Sequence, residues 1–347
     1  MLASDTHPRG LLALDEEELI GAVAGRGAAA ARRFLETFDV TAARSDLDSA
    51  GVGATCSHDP GYPESLTSLV DPPVVLYFTG DNKRLARLLD QPAVAIVGTR
   101  RPSPYGIEVA YELGRGLGAA GVTVVSGLAL GIDSHAHRGA TDVDGGVIAV
   151  LACGPDVVYP RRHRRLYERV RAAGAVVSEM PPGIQPFRWS FPARNRIMAG
   201  LARMTVVVEA GHPSGSLITT GFAADLGREV GAVPGPITTW RADGTNRLLK
   251  DGASPICGPE DVLDALFGVG NGRPSTPREP ELEPELRRVL DEVEQGRGPE
   301  ELADATGLDP GAVRGALVQL ELRGLAVRDR FGGYQRAPRT RVRPLPG

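Results

Sequence analysis

Cysteine is scarce in this 347-residue chain: Cys56, Cys153 and Cys257 are far apart and odd in number. That excludes a disulfide framework and any CxxC metal pair. No apolar run approaches the roughly 20 residues needed to span a bilayer. The opening "MLASDTHPRGLLALDEEEL" has no basic stretch leading into an apolar core, so no secretory signal is expected. The expected compartment is the cytoplasm, with no membrane partner. Lysine is nearly absent, with only Lys83 and Lys250, so arginine carries the positive charge. Aromatic residues make up 5%. Catalytic signatures are missing too: there is no GxxxxGK[ST], no GxSxG and no HExxH. His135 and His137 are two apart and cannot share a helix face as ligands. The GxGxxG string of Gly116, Gly118 and Gly121 precedes a strand, whereas a dinucleotide fingerprint follows one. No cofactor, metal or catalytic residue is expected.

What is present is unevenly placed charge. The net charge is −4. Residues 1–91 hold 8 basic and 14 acidic side chains, whereas residues 92–257 hold 18 and 13. Residues 323–347 hold seven arginines against the single acid Asp329. Compositional bias explains arginine over lysine. It does not explain an excess concentrated in two regions, which suits a polyanionic partner.

Residues 11–60 read as short helices punctuated by Gly25, Gly27, Gly51 and Gly53. Being acidic, this module is expected to serve in packing or protein contact. From residue 74 the runs "VVLYFTG", "AVAIVGT", "VTVVSGL", "GVIAVLA", "AVVSEM", "MTVVVEA" and "EVGAVPG" are short and rich in Val and Ile. They read as buried strands. Helix-length segments separate most of them: 104–120, 131–141, 162–173, 192–202 and 215–228. The alternation predicts an α/β fold with a parallel sheet covered on both faces. Residues 268–284 are Gly, Pro and polar, and read as a linker. Beyond them, two helices around "LDP" and the pair "LAVRD", "GGYQR" have the pattern of a winged helix-turn-helix. The expected organisation is a helical module of the SAM or helix-hairpin-helix kind over 1–70, the sheet domain over 71–268, a linker over 269–284, and a winged helix with a basic tail over 285–347.

In such sheets ligands bind beyond the carboxyl ends of the strands. Gly98, Thr99 and Arg100 follow one strand, and Ser126 and Gly127 end the next. Ser214, Gly215 and Ser216 precede a helix, where a serine caps and free amides face any anion. "YPRRHRR" supplies Arg161, Arg162, His163, Arg164 and Arg165, and "DGTNRLLK" supplies Asn246, Arg247 and Lys250. In "SFPARNRIMAG", Arg194, Asn195 and Arg196 open a segment that then turns apolar. Asn195 and at least one of these arginines can meet phosphates. The other reading pairs Arg196 with an internal acid such as Glu179 or Glu209. The aromatics expected near this edge are Tyr105, Tyr159, Phe187, Trp189 and Trp240.

Taken in order, "VGTRRPSPYG", "SGLALGIDSHAHRGA", "GGVIAVLACGPDVVYP", "FPARNRIMAGLA", "VVVEAGHPSGSLITTGFAADLGREVGAVPG" and "GTNRLLKDGA" resemble the DNA-processing protein A family (DprA, also called Smf) across roughly residues 60–260. The resemblance implies an extended Rossmann-like domain that binds single-stranded DNA without base preference. It also implies a role in natural transformation and recombination: protecting strands and helping to load a RecA-type recombinase, often as a homodimer, with a single-strand-binding protein as a further partner. Carried over by position, Arg100 and Arg161 match family positions associated with strand binding. Thr99 stands where the family usually has Ser, His163 where Asn is usual, and Gly231 where an aromatic is common. The DNA-binding set expected is thus Gly98, Thr99, Arg100, Ser126, Gly127, Arg161, Arg162, His163, Arg194, Asn195, Ser214, Gly215, Ser216 and Asn246.

An enzyme on a similar sheet is the competing class. Nucleotide phosphoribohydrolases of the lysine-decarboxylase-like type carry PGGxGTxxE, whose glutamate does chemistry. Here "VPGPITTWRADGTN" holds the Pro-Gly and Gly-Thr pieces, but no glutamate follows. That favours a non-catalytic binder. A transcription factor would rest on the winged helix alone and leave the large domain without a role.

Overall fold

The structure is a computed structural model that describes residues 15–80, 82–211, 213–269, 282–295, 297–323, 325–328 and 333–336. The chain divides into two compact units, residues 1–275 and 276–347.

Among the described residues the first unit begins with helices α1 (Glu16–Ala24), α2 (Ala28–Thr37) and α3 (Val40–Ala50). Asp15 and Asp39 cap two of them by accepting bonds from first-turn amides, and Gly51 ends α3 in the left-handed region that favours glycine. The part of the expected first helix before residue 15 lies outside the described residues.

A nine-stranded sheet follows, in the order β1-β2-β6-β5-β4-β3-β7-β8-β9. Its strands are β1 (Val52–Cys56), β2 (Val75–Thr79), β3 (Ala93–Val97), β4 (Thr123–Ser126), β5 (Val147–Val150), β6 (Ala175–Ser178), β7 (Met204–Val207), β8 (Glu229–Ala232) and β9 (Ser254–Pro255). All seven apolar runs became strands. From β6 to β9 the pairing is parallel. At the other end β2 runs antiparallel to β6, and β1 runs antiparallel to β2. The sheet is therefore mixed, with a two-strand antiparallel margin. It also begins at Val52, inside the 1–70 stretch expected to be helical. The sequence "VGATC" hides this strand because its residues are small. The ring of Phe78 on β2 fills the place that a Gly53 side chain would take.

Strand residues alternate between two cores. Val94, Ile96, Val124, Ala149 and Val206 face one side, covered by α6 (Pro104–Ala119), α7 (Ile132–Thr141), α8 (Arg164–Ala173) and α12 (Pro259–Phe267). Ala95, Val97, Val125, Val150 and Val207 face the other, covered by α4 (Glu64–Thr67), α5 (Asn82–Asp90), α9 (Ser190–Leu201), α10 (Gly215–Asp225) and α11 (Asp243–Lys250). Burial on both faces is why the strands read as continuous apolar runs. Two of the GxGxxG glycines serve packing, since a Cβ at Gly116 would overlap Pro259 and one at Gly118 would crowd Ala140, while Gly121 takes the left-handed turn before β4 at φ 77°. Gly231 is likewise a packing residue, with Ile256 and Met204 filling its side-chain space.

The second unit contains α13 (Pro284–Glu294), α14 (Pro299–Thr306), α15 (Pro310–Leu322) and the antiparallel pair β10 (Ala326–Arg328) and β11 (Tyr334–Arg336). Asp309 caps α15, and Leu286, Leu290, Leu302, Val313, Leu317 and Leu320 form a core of their own. This is a winged helix. Most of the expected linker, residues 270–281, and the basic tail from residue 337 lie outside the described residues.

Among the described residues no helix is long and apolar enough to cross a membrane.

Candidate nucleic-acid interface

The strand order reverses between β3 and β7: β3 to β6 progress one way, and β7 to β9 the other. In open α/β sheets the ligand crevice lies outside the carboxyl ends at such a point. Here a side chain of the protein already occupies it. Glu209, following β7, is 5% exposed. One of its oxygens accepts from the Ser103 amide at 2.8 Å and the other from the Ser103 hydroxyl at 2.5 Å. Its backbone carbonyl accepts from the Thr99 amide at 2.7 Å. The N-terminus of α6 is thus satisfied by an internal carboxylate, which suits the helix dipole and closes that position to an external anion. The same loop is closed sterically, because a Cβ at Gly98 would strike Ile132 and the Glu209 carbonyl.

The opening lies one step over, beyond β3, β4 and β5. A cavity of about 50 Å³ is lined by Arg100, Gly127, Leu151–Cys153, Tyr159–Pro160, Phe191 and Arg194, among others, and its lining holds no carboxylate. Arg194 forms its floor. The guanidinium lies over Gly127, where any Cβ would overlap it, and donates to the Val150 carbonyl at 2.5 Å. Burial lowers the Arg194 pKa, and Asp133 opposes that shift. Burial raises the Asp133 pKa, opposed by Arg194 and by the Gly127 amide, which donates to it at 3.0 Å. Leu128 sits in the left-handed region at φ 53°, an unfavourable place for a leucine. His163 holds it there by donating from Nδ1 to the Leu128 carbonyl at 3.0 Å. Burial pushes the Cys153 thiol up to about 12, so it is a neutral packing group and not a thiolate nucleophile.

"ARNR" is divided among three roles. Arg194 supports the cavity. Asn195 is buried and donates to the Gly215 carbonyl at 3.1 Å, tying α9 to the start of α10. Arg196 makes a two-pronged pair with Glu179, at 2.9 and 2.6 Å, and donates to the Asp71 carbonyl at 2.8 Å. The internal partner of Arg196 is therefore Glu179 and not Glu209.

The remaining candidates separate the same way. Ser126 is buried and donates to the Ile96 carbonyl. Asn246 exchanges two bonds with the Gly235 backbone. Ser214 caps α10 through the Ser216 amide, and the two serine hydroxyls lie 2.7 Å apart. Thr99 accepts from the Arg101 amide. Arg100, Arg161 and Arg162 are exposed.

Around these cations stand aromatics. Arg100 lies 4.9 Å over the ring of Phe191, which in turn touches Tyr159. Phe187 and Trp189, 49% and 58% exposed, stack almost parallel, 6° apart. Trp240 is 54% exposed and carries Arg241 at 4.8 Å, whose Nε donates to the Arg101 carbonyl. Sequence reasoning missed Phe191, Arg101, Arg241 and the plugging role of Glu209. Alternation in "FRWSF" was the available sign for Phe191; nothing local marked Glu209. Exposed cations interleaved with exposed rings can hold a flexible polyanion whose bases have π-faces.

Comparison with known proteins finds relatives over most of the chain. Protein Smf of Synechocystis is 35% identical over 80% of this chain and 78% of its own length. DNA processing protein DprA of Streptococcus pneumoniae is 42% identical over 59% of this chain and 71% of its own. The crystal structure of that streptococcal protein aligns with a TM-score of 0.64 at 36% identity, covering 72% of this chain and 86% of that one. A Helicobacter pylori DNA processing protein A, described for its single-stranded DNA binding mode, aligns at 0.56 and 32% identity, over 62% of this chain and 97% of that one. Residues 273–329 match the DprA winged helix domain. Residues 53–267 match the DNA recombination-mediator protein A family, and the chain belongs to that family.

Proposed function

We propose that this protein binds single-stranded DNA, without base preference and without catalysis, along the carboxyl edge of its sheet, and delivers it to a RecA-type recombinase. The carrying observation is the cavity mouth: exposed Arg100 beside Phe191 and Tyr159, a floor cation at Arg194, and no carboxylate in the lining. Arg100, Arg161 and Arg162 contact phosphates through their side chains. Thr99 and the Ser214–Ser216 turn offer hydroxyls and amides. Gly98, Ser126, Gly127, His163, Arg194, Asn195 and Asn246 shape the edge from within. The absence of a carboxylate and the high thiol pKa of Cys153 support a binding role over hydrolysis. Membership of a recombination-mediator family supports the recombinase as recipient, with a homodimer and a single-strand-binding protein as further expected associations.

The test is titration of single- and double-stranded oligonucleotides at several salt concentrations. Each arginine that neutralises a phosphate contributes roughly 0.7 to the single-strand salt slope. Arg100→Ala and Arg161→Ala should each flatten the slope by about that amount and weaken poly-T and mixed sequences alike. Parent-like binding by both variants would remove the strand from this edge. Release of ribose 5-phosphate from nucleotides would overturn the non-catalytic reading.

A further inference from the structure

The loop from Asp156 to Arg164 separates two openings. Its Tyr159 and Pro160 line the cavity described above. Its other side, with Asp156, Val157, Val158, Arg161 and Arg164, lines a second and larger groove of about 610 Å³. That volume lies in the range of about 300–1,000 Å³ typical of ligand sites. The groove runs along α8 and ends against the helical module at Ala50.

Three arginines line it, at positions 161, 164 and 171. Arg164, Glu168 and Arg171 share one face of α8 by their spacing of three and four. Arg171 reaches across, with a guanidinium nitrogen 3.9 Å from the side-chain position of Gly51. The two acids present are already engaged. Both oxygens of Asp156 accept from the Gly183 amide, at 2.9 and 3.1 Å, and Glu168 faces Arg171 at 3.7 Å. Among the described residues no acid lies within ion-pairing distance of Arg161 or Arg164.

A second observation concerns the wall. Thr79, 2% exposed, lines the groove next to Tyr167. Tyr167 donates its hydroxyl to the Pro155 carbonyl at 2.6 Å, and its oxygen faces the Thr79 hydroxyl as an acceptor.

We infer that this groove is a second strand-binding segment, which carries the sugar-phosphate backbone from the cavity mouth past Arg161, over Arg164 and Arg171, to the helical module. The inference rests on the single-stranded DNA reading of the carboxyl edge. Continuity argues for DNA over a separate small anion, because consecutive residues of one loop line both openings. The groove adds phosphate contacts without adding rings: apart from Tyr167, whose hydroxyl is engaged, no aromatic lines it. It should therefore extend the length of strand bound and steepen the salt dependence, with no base preference.

The experiment compares oligothymidylates of about 5 and about 20 nucleotides on the full chain. The variants are Arg164→Ala/Arg171→Ala, Arg100→Ala, Arg161→Ala and a control, Arg87→Ala/Arg203→Ala. The control removes two exposed cations from segments that lead into β3 and β7 at their opposite ends. The groove variant should bind the long strand roughly 10-fold more weakly, with a salt slope lower by about 1.4. It should bind the short strand like the parent, and the control should match the parent on both. An unchanged long-strand affinity and slope in the groove variant, while Arg100→Ala still loses binding, overturns the groove and spares the edge. Equal loss in the control and groove variants overturns it as well, by reducing the effect to bulk charge. If Arg100→Ala leaves both strands unaffected, and Arg161→Ala does so too, the edge reading itself fails.

Discussion

Arg194, Asn195 and Arg196 are adjacent in sequence and differ in what their loss should cost. Arg196 is 9% exposed and its partner Glu179 21%. Removing one member of a largely buried ion pair leaves the other uncompensated, at about 3–5 kcal/mol. Arg196→Met should lower stability by an amount in the lower part of that range, because Glu179 keeps some solvent, and urea denaturation reads it. Arg100, itself exposed and stacked on the half-buried ring of Phe191, should show the opposite profile: Arg100→Ala binds DNA poorly but melts like the parent. A stability loss of equal size in both variants would mean that Arg100 is structural too. His137 provides a pH dependence. It is fully buried, and neither ring nitrogen has a hydrogen-bond partner; Ser126 offers a backbone group nearby, but not at bonding geometry. Burial holds its pKa down to about 4. The unfolded chain takes up this proton near pH 6.5 and the folded chain only near 4. The contribution is therefore complete above about pH 6.5 and is lost as pH falls toward 4. The full difference is on the order of 3 kcal/mol. Denaturation at about pH 7.5 and about pH 5 should show a drop that His137→Gln reduces.

Elements meet here through glycines, and one such close meeting is between α6 and α7. A Cβ at Gly139 would overlap the Tyr111 carbonyl, and one at Gly114 would overlap that of Ala136. These atoms are backbone and cannot swing aside. Gly139→Ala should therefore destabilise by about 1–3 kcal/mol, the usual cost of overpacking, measured as a lowered Tm with unchanged DNA affinity per folded molecule. The segment before α9 makes a different prediction. Low aromatic content predicts that charge dominates binding, yet Phe187 and Trp189 form an exposed stacked pair beside Arg188. If bases stack there, Trp189→Ala should lose about 1–3 kcal/mol of single-strand affinity with little change in salt slope. A change in slope without that loss would assign the segment to phosphate contact alone.

On the scale of the molecule, the two units each carry their own core. A chain ending at residue 270 should fold and keep most single-strand binding, because every candidate contact lies before that point. The winged helix exposes Val318 and Leu322 on α15, beside few cations, which suits a partner contact or a tuning of affinity. Loss of nearly all binding in a folded, shortened chain would move the main site into that module.

The sequence by itself determined the alternation of strands and helices, because each local run had to bury both faces of a strand or one face of a helix. It also determined the edge to inspect, since strand ends in Gly, Ser, Thr and Arg are legible one run at a time. The winged helix was legible for the same reason: caps, turn and hairpin are all local signals. The tertiary structure alone decided the antiparallel margin, because β1 pairs through backbone atoms and its small residues leave no periodic trace. It alone decided that Glu209 plugs the switch point, because the carboxylate and the helix it caps are about a hundred residues apart. It alone separated Arg100 from Arg194 and Arg196. An arginine in sequence is a charge with unknown surroundings; only packing against Gly127, Glu179 or open solvent makes it a floor, a brace or a ligand contact.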